Sequence, residues 1–365
     1  MIFDYTNRKY DIITTGSDNM VKNQKKILSK EIIYLDILRI FACFMVIINH
    51  TNGFILESNT LINTTFYCIT FSICKVGVPL FLMITGALVL NKNYNYKKIL
   101  KCILRVFVPT FCLSLIFYIK EAGLNNINII YFLKSILSNP YLHFFWYIYA
   151  LIGVYLVLPF IQKMIKNFID KDYVIFICVF LIVPTFIEFL KAYLNFDINY
   201  NFQLAFFPII TSIIICGNYI SKIKASKKIL IGSIILFTIS YICMFLSMYL
   251  PYLNKGGISF VLDSWNSFPV VLMSISLFYI VKYLFENKYY SKRIINVITT
   301  VASTTFGIYL IHATLNFKIY KSVVIQSIFE FNNIIAIIIL DLVVFIACMI
   351  PIYILKKIPF IKKFL

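Results

Sequence analysis

Arg39 and His50 stand eleven residues apart inside one long apolar run. On a helix that separation is about 16 Å of rise and three turns plus roughly 20°, so a guanidinium and an imidazole leave one face at two depths. The imidazole changes charge near neutral pH and can move a proton, whereas the guanidinium keeps its proton and suits anions. An ionisable group in lipid costs several kcal/mol unless it is paired or hydrated, so each one within an apolar run marks a candidate site. Lys75, Arg105, His143, Glu188, His312 and Asp341 meet the same criterion.

Plainer roles stand beside these. Asp36, three residues before Arg39, could neutralise it as an i,i+3 pair. Lys75 could run its ammonium out to the interface, and His143 with Trp146 could belong to an interfacial aromatic belt. His50 lies in the polar run Asn49-His50-Thr51-Asn52, which a hydrated helix end would also explain. The 36 Phe and 26 Tyr serve packing and lipid contact. The nine cysteines lack metal-like spacing, and neither a disulfide nor a metal site is expected.

The elements that must position these groups follow from composition. In 365 residues, 61% are hydrophobic and 13% charged, too little polar surface for water-soluble domains. The formal charge of +19 is scattered through linkers without a basic stripe, so no nucleic acid is expected as a partner. Apolar stretches predict ten spans, at 33 to 56, 67 to 90, 99 to 119, 144 to 161, 173 to 190, 203 to 220, 229 to 250, 268 to 285, 299 to 317 and 334 to 355. Helices satisfy their backbone in lipid, and the spans lack the alternation of barrel strands. The expected fold is therefore an all-α, ten-transmembrane-helix bundle. Residues 1–32 form an N-terminal tail, 33–355 the membrane domain and 356–365 a C-terminal tail. Lys and Arg favour the segments on the side of the termini by about four to one, which predicts both termini cytoplasmic. No cleaved leader and no appended soluble domain are expected, and Met20 is an alternative start.

This topology sorts the candidates. Arg39, Lys101 and Arg105 fall at the inner level, behind a basic approach that includes Lys97 and Lys98. His50, Lys75, His143, Glu188, His312 and Asp341 fall at the outer level, so all three histidines share one layer.

Four stretches then resemble the family-3 membrane acyltransferases, which O-acetylate cell-surface glycans. They are Leu35-Asp36-Ile37-Leu38-Arg39 followed by His50; Gly77-Val78-Pro79-Leu80-Phe81-Leu82-Met83-Ile84-Thr85-Gly86; His143-Phe144-Phe145-Trp146-Tyr147-Ile148-Tyr149-Ala150-Leu151; and Thr305-Phe306-Gly307-Ile308-Tyr309-Leu310-Ile311-His312. The resemblance implies a ten-helix bundle that moves an acetyl or similar acyl group from cytoplasmic acyl-coenzyme A to a glycan hydroxyl at the outer face. It implies His50 as the catalytic group and Arg39 as a coenzyme A contact. Family members often carry an arginine pair three apart at the start of the third helix. Here Cys102 precedes Arg105 at that spacing, so Lys101 and Arg105 would share the donor.

On this reading acetyl-coenzyme A is the donor substrate and no metal takes part. His50 acts as base or acylated carrier, with His312 and Asp341 beside it; Asp341 or Glu188 would orient it. Lys75, His143, Trp146 and Glu188 would contact the acceptor. The expected surroundings are a bacterial cytoplasmic membrane, a lipid bilayer and glycan-synthesis partner proteins. A transporter or flippase for a polysaccharide or lipid-linked sugar is the alternative, since charges within spans can also line a path. A membrane sensor is a third, weaker one.

Overall fold

The structure is a computed structural model that describes residues 18–58, 60–92, 96–138, 140–194, 208–286, 288 and 290–364. Among these residues there are helices, turns and no strand. The chain runs α1 (Asp18–Thr51), α2 (Leu61–Cys74), α3 (Gly77–Val89), α4 (Tyr96–Ala122), α5 (Ile129–Ser138), α6 (Trp146–Ile165), α7 (Asp170–Ile177) and α8 (Val183–Leu194). It continues through α9 (Ile209–Lys222), α10 (Lys227–Lys255), α11 (Phe268–Phe285), α12 (Lys292–Tyr320), α13 (Val323–Phe331) and α14 (Asn333–Leu355). Polar residues start several of these: Ser291, Ser322 and Asn332 each accept a backbone N–H of the first turn through a side-chain oxygen. Gly256, at φ 70°, closes α10 in the left-handed conformation.

Nine helical segments among the described residues are long and apolar enough to cross a membrane: Ile33–Glu57, Leu61–Val89, Tyr96–Ala122, His143–Ile165, Asp170–Leu194, Lys227–Lys255, Phe268–Phe285, Lys292–Tyr320 and Asn333–Leu355. They coincide with nine of the ten expected spans. The other, expected at 203 to 220, corresponds to the 14-residue α9, and its first residues lie outside the described ones. Three details differ from expectation. Helix α1 starts at Asp18, inside the expected tail. The second span is broken: α2 ends at Cys74, Lys75 caps it, and α3 begins at Gly77. Two short helices, α5 and α13, occupy segments expected as loops.

The site rests on α1, α12 and α14. Along α1, Cys43 donates to the Thr305 carbonyl at 3.7 Å and the His50 ring meets the His312 ring; in the 3-10 turn just past α1, Phe54 stacks on Tyr320 with centroids 3.9 Å apart. Residue numbers rise together, so α1 and α12 are parallel. Phe44 meets Phe345, Thr51 donates to Asp341, and Asn333 donates to Ser58 at 2.7 Å. Those numbers run in opposition, so α14 is antiparallel to both. Helix α6 and the 3-10 turn before it close a further side, with Phe144 of the turn reaching His312 and Tyr147 of the helix reaching Tyr309.

Behind this group α3 and α9 cross at backbone contact. A Cβ on Gly86 would lie 1.8 Å from the Ile214 carbonyl oxygen, and one on Gly217 would lie 2.2 Å from that of Met83. Two backbones this close need hydrogen in place of a side chain, the usual route to tight helix association in lipid. Asn218 adds a bond to the Asn91 side chain at 2.7 Å. Lys282 of α11 donates to the Ile220, Ser221 and Ile223 carbonyls at 3.0, 2.8 and 2.6 Å, which satisfies the carbonyls at the end of α9.

Gly86→Ala and Gly217→Ala should each drive α3 and α9 apart and cost roughly 1–3 kcal/mol or more, read as a lowered unfolding midpoint of the detergent-solubilised protein. Gly153→Ala, where an added Cβ meets nothing within 4 Å, should leave that midpoint unchanged or slightly raised.

Candidate active site

His312 and Tyr320 lie about two turns apart on α12, and the helix presents the first to α1 and the second to the 3-10 turn that follows it. At the first, the His50 and His312 rings lie 5.1 Å apart, tilted by 56°. His50 is exposed, whereas His312 is completely buried behind it, edge-on to Phe144 at 5.7 Å and beside the Tyr309 ring at 5.7 Å. Nδ1 of His312 lies 2.7 Å from the Tyr309 carbonyl. A carbonyl only accepts, so Nδ1 carries the proton, and a neutral ring then presents a bare lone pair at Nε2. That Nε2 is buried and meets no hydrogen-bond partner among the described residues.

Asp341 reaches this region through an intermediary. It accepts a bond from the Thr51 hydroxyl, next to His50 in the chain, and Thr51 also lies 3.1 Å from the Ile47 carbonyl. The carboxylate holds the end of α1 beside His50, reaching the imidazole's neighbour and not the ring itself. Glu188 does not join the group. Its side chain is 65% exposed and pairs with Lys191 at 3.3 Å, because α8 turns that position outward.

The other outer candidates are nearer. Lys75 sits in the turn between α2 and α3 with its ammonium 4.2 Å above the Phe71 ring, and both Lys75 and His143 are close enough to His50 to interact with it electrostatically. His143 is exposed in the 3-10 turn that leads into α6. Trp146 stacks on Trp265 at 5.5 Å, so it joins the segment before α11 to the mouth of α6.

At the opposite end of the same α1 face, Arg39 is 1% exposed and its Nη1 is 3.3 Å from Asp36. The neutralising pair is formed, in surroundings that make a lone charge costly. Arg105 is half-buried and donates through Nε to the Lys363 carbonyl at 2.8 Å, which brings the C-terminal segment against α4; Lys101 is exposed. Lys356, expected only as part of a tail, joins this inner cluster. It donates to the Ser303 carbonyl at 2.6 Å. Burial, and then the positive charges of Arg39, Lys362 and Arg105, push its pKa down to about 8.

Tyrosines connect the two ends. Tyr147 of α6 is fully buried; its hydroxyl lies toward Thr85 and Arg39 but in hydrogen-bonding geometry with neither. The Tyr147 ring lies 5.7 Å from that of Tyr309, whose hydroxyl donates to the Phe144 carbonyl. The succession Arg39, Tyr147, Tyr309, His312, His50 therefore spans the depth that separates the guanidinium from the imidazoles. Sequence reasoning missed Tyr147, Tyr309 and Lys356. The first two lie within motifs already singled out, three or fewer residues from Trp146 and His312, but a tyrosine among 26 carries no signal of its own.

The family model described as an acyltransferase domain matches residues 32–353. No curated protein and no solved structure matches the chain.

Thr51→Val keeps the shape of the side chain but leaves the buried Asp341 carboxylate without its hydroxyl donor. The unfolding midpoint in detergent should fall by the equivalent of about 1–3 kcal/mol, while Thr51→Ser should restore most of it.

Proposed function

The chain belongs to the family-3 acyltransferases, a match that covers all but its ends, and from that premise we propose a membrane O-acyltransferase that takes an acetyl or similar acyl group from cytoplasmic acyl-coenzyme A and delivers it to a glycan hydroxyl at the outer face. The observation that carries this reading is the contact between His50 and His312 at one end of α1, with buried Arg39 eleven residues back along the same helix. A thioester is already activated, so transfer to a sugar needs a base for the hydroxyl proton and polar groups for the developing oxyanion.

In the proposed step the imidazole of His50 takes the acceptor proton as the hydroxyl oxygen attacks the thioester carbonyl. The C–O bond forms, the C–S bond breaks, and the thiolate leaves with the proton returned by the imidazolium. His312, with its proton fixed on Nδ1, offers Nε2 as an acceptor beside that exchange. The donor's phosphates would sit among Arg39, Arg105, Lys356 and Lys362, with Lys101 at the approach. Its pantetheine arm, on the order of 15–20 Å, matches about 16 Å of helix rise between Arg39 and His50. Lys75, His143 and Trp146, at the mouth of the site, would face the acceptor. The ten-crossing bundle with both termini cytoplasmic, in a bacterial cytoplasmic membrane beside glycan-synthesis partners, belongs to the same proposal; Lys and Arg asymmetry and the nine long apolar helices support it.

His50→Ala should lower acetyl transfer from acetyl-coenzyme A by about 10²–10⁴, the range for a lost general base, with membrane insertion and unfolding midpoint unchanged. Wild-type levels of surface O-acetyl ester in cells carrying only this variant would reject the proposal.

Lys356 gives a pH signature. Its folded pKa of about 8 lies below the ordinary lysine value, so the ammonium is present below pH 8 and is lost as pH rises through it. The Kd for acetyl-coenzyme A should therefore weaken across that interval, and Lys356→Arg, which keeps its charge, should flatten the dependence when binding is followed calorimetrically.

A further inference from the structure

Asn316 is one turn beyond His312 on α12 and one turn short of Tyr320. His312 meets His50 of α1 and Tyr320 stacks on Phe54 in the 3-10 turn that follows α1, so residues on both sides of Asn316 along this face contact α1 or its direct continuation. The bracket directs Asn316 toward the part of α1 that carries the polar run from Asn49 to Asn52. It is 3% exposed, and neither its Nδ2 nor its Oδ1 has a hydrogen-bond partner among the described residues.

Three neighbouring polar side chains, Asn49, Thr51 and Asn52, each have a partner in the protein. Thr51 is held by Asp341 and by the backbone of its own helix. Asn52 donates to the Tyr67 carbonyl at 3.2 Å and accepts from Thr70 at 2.8 Å. Asn49 lies 3.7 Å from the Cys74 thiol, which donates to it. Two side chains on successive turns of α12 are left with bare polar atoms: Asn316 and the Nε2 of His312. A buried amide with both ends unmet is costly, so this pair is shaped for something other than the protein.

Resting on the function proposed above, we infer that Asn316 docks the acyl acceptor by its hydroxyls, next to the imidazole pair. Its amide presents an acceptor at Oδ1 and two N–H donors at Nδ2. A vicinal diol matches this, one hydroxyl donating to Oδ1 and its neighbour accepting from Nδ2. A phosphate or carboxylate would meet repulsion at Oδ1, and an acyl chain would leave both ends unmet. The amide thus selects a polyol and holds one of its hydroxyls within reach of the histidines. Asn316 is a positioning residue, and the acceptor class it implies is a sugar with adjacent free hydroxyls.

The test uses the full chain, as wild type or Asn316→Leu, in a strain lacking the native copy. Two quantities are read: alkali-labile acetyl esters on surface carbohydrate per amount of inserted protein, and the rise in unfolding midpoint that acetyl-coenzyme A gives the purified protein. Leucine has nearly the shape of asparagine and removes no protein hydrogen bond, so the variant should keep the wild-type midpoint and the full donor-induced rise. Its ester content should fall at least about ten-fold, as expected when a site built to bond hydroxyls loses its partner. Ester content within two-fold of wild type would overturn the inference. So would a lowered midpoint with loss of the donor effect, which would make Asn316 structural. If wild type itself adds no ester over the deletion strain, or gains no stability from acetyl-coenzyme A, the acyltransfer reading fails first and takes this inference with it.

Discussion

A polar side chain among apolar helices must find a partner inside the protein or water, because lipid offers neither donors nor acceptors. That requirement organises the centre of this bundle. Arg39 is buried against Asp36, Asp341 takes the Thr51 hydroxyl, and Lys282 gathers three carbonyls at the end of α9. The Arg39 pair closes within α1, whereas the Asp341 and Lys282 pairings each tie two segments together at a fixed depth. The apolar stretches between them can then pack with little directional information of their own, as α10 does with its row of exposed isoleucines.

Against this background the unmet groups become informative. The His312 Nε2, the Asn316 amide and the Tyr147 hydroxyl are buried and carry no hydrogen bond among the described residues. Elsewhere the same bundle satisfies polar atoms readily: Tyr309 finds a carbonyl, and Thr85 and Thr110 bond back to their own helices. These three lie along the route from Arg39 to His50 or just past it, while the Thr64, Ser212, Ser267 and Ser276 hydroxyls are buried without such a bond on or beside α2, α9 and α11.

The spans were legible because a run of about 20 apolar residues has no other use than crossing lipid, and nine described helices lie where hydropathy put them. The pairing of His50 with His312 was half legible: depth arithmetic placed both in one layer, but a layer is a plane, and only packing of α1 parallel to α12 brings the rings to 5.1 Å. The same arithmetic placed Glu188 and Asp341 alike, yet one turns outward to Lys191 and the other grips Thr51, since helix rotation is set by neighbours that hydropathy does not see. The break at Lys75 was hidden because α2 and α3 are both apolar, and a window average passes smoothly over two residues. Asn316 was invisible for a different reason. An asparagine near a helix end reads as an ordinary cap or interfacial residue, and its significance lies in bonds it does not make.

The same helix that fixes the imidazole end also fixes how far a donor must reach. Arg39 and His50 belong to one continuous α1, so their separation cannot change without breaking that helix, and α12 runs parallel to it from Thr305 to Tyr320. Domain closure of the kind that brings cofactor and substrate together in soluble enzymes is therefore unavailable along this axis. On the proposed reading the donor itself must bridge the gap, which makes a long flexible arm between phosphate and thioester a geometric requirement. A short acyl phosphate, gripped by the same cations, would leave its carbonyl about three helical turns from either histidine. On that proposal, the rigidity of α1 is the physical reason for an activated acyl group to be presented on a carrier of that length.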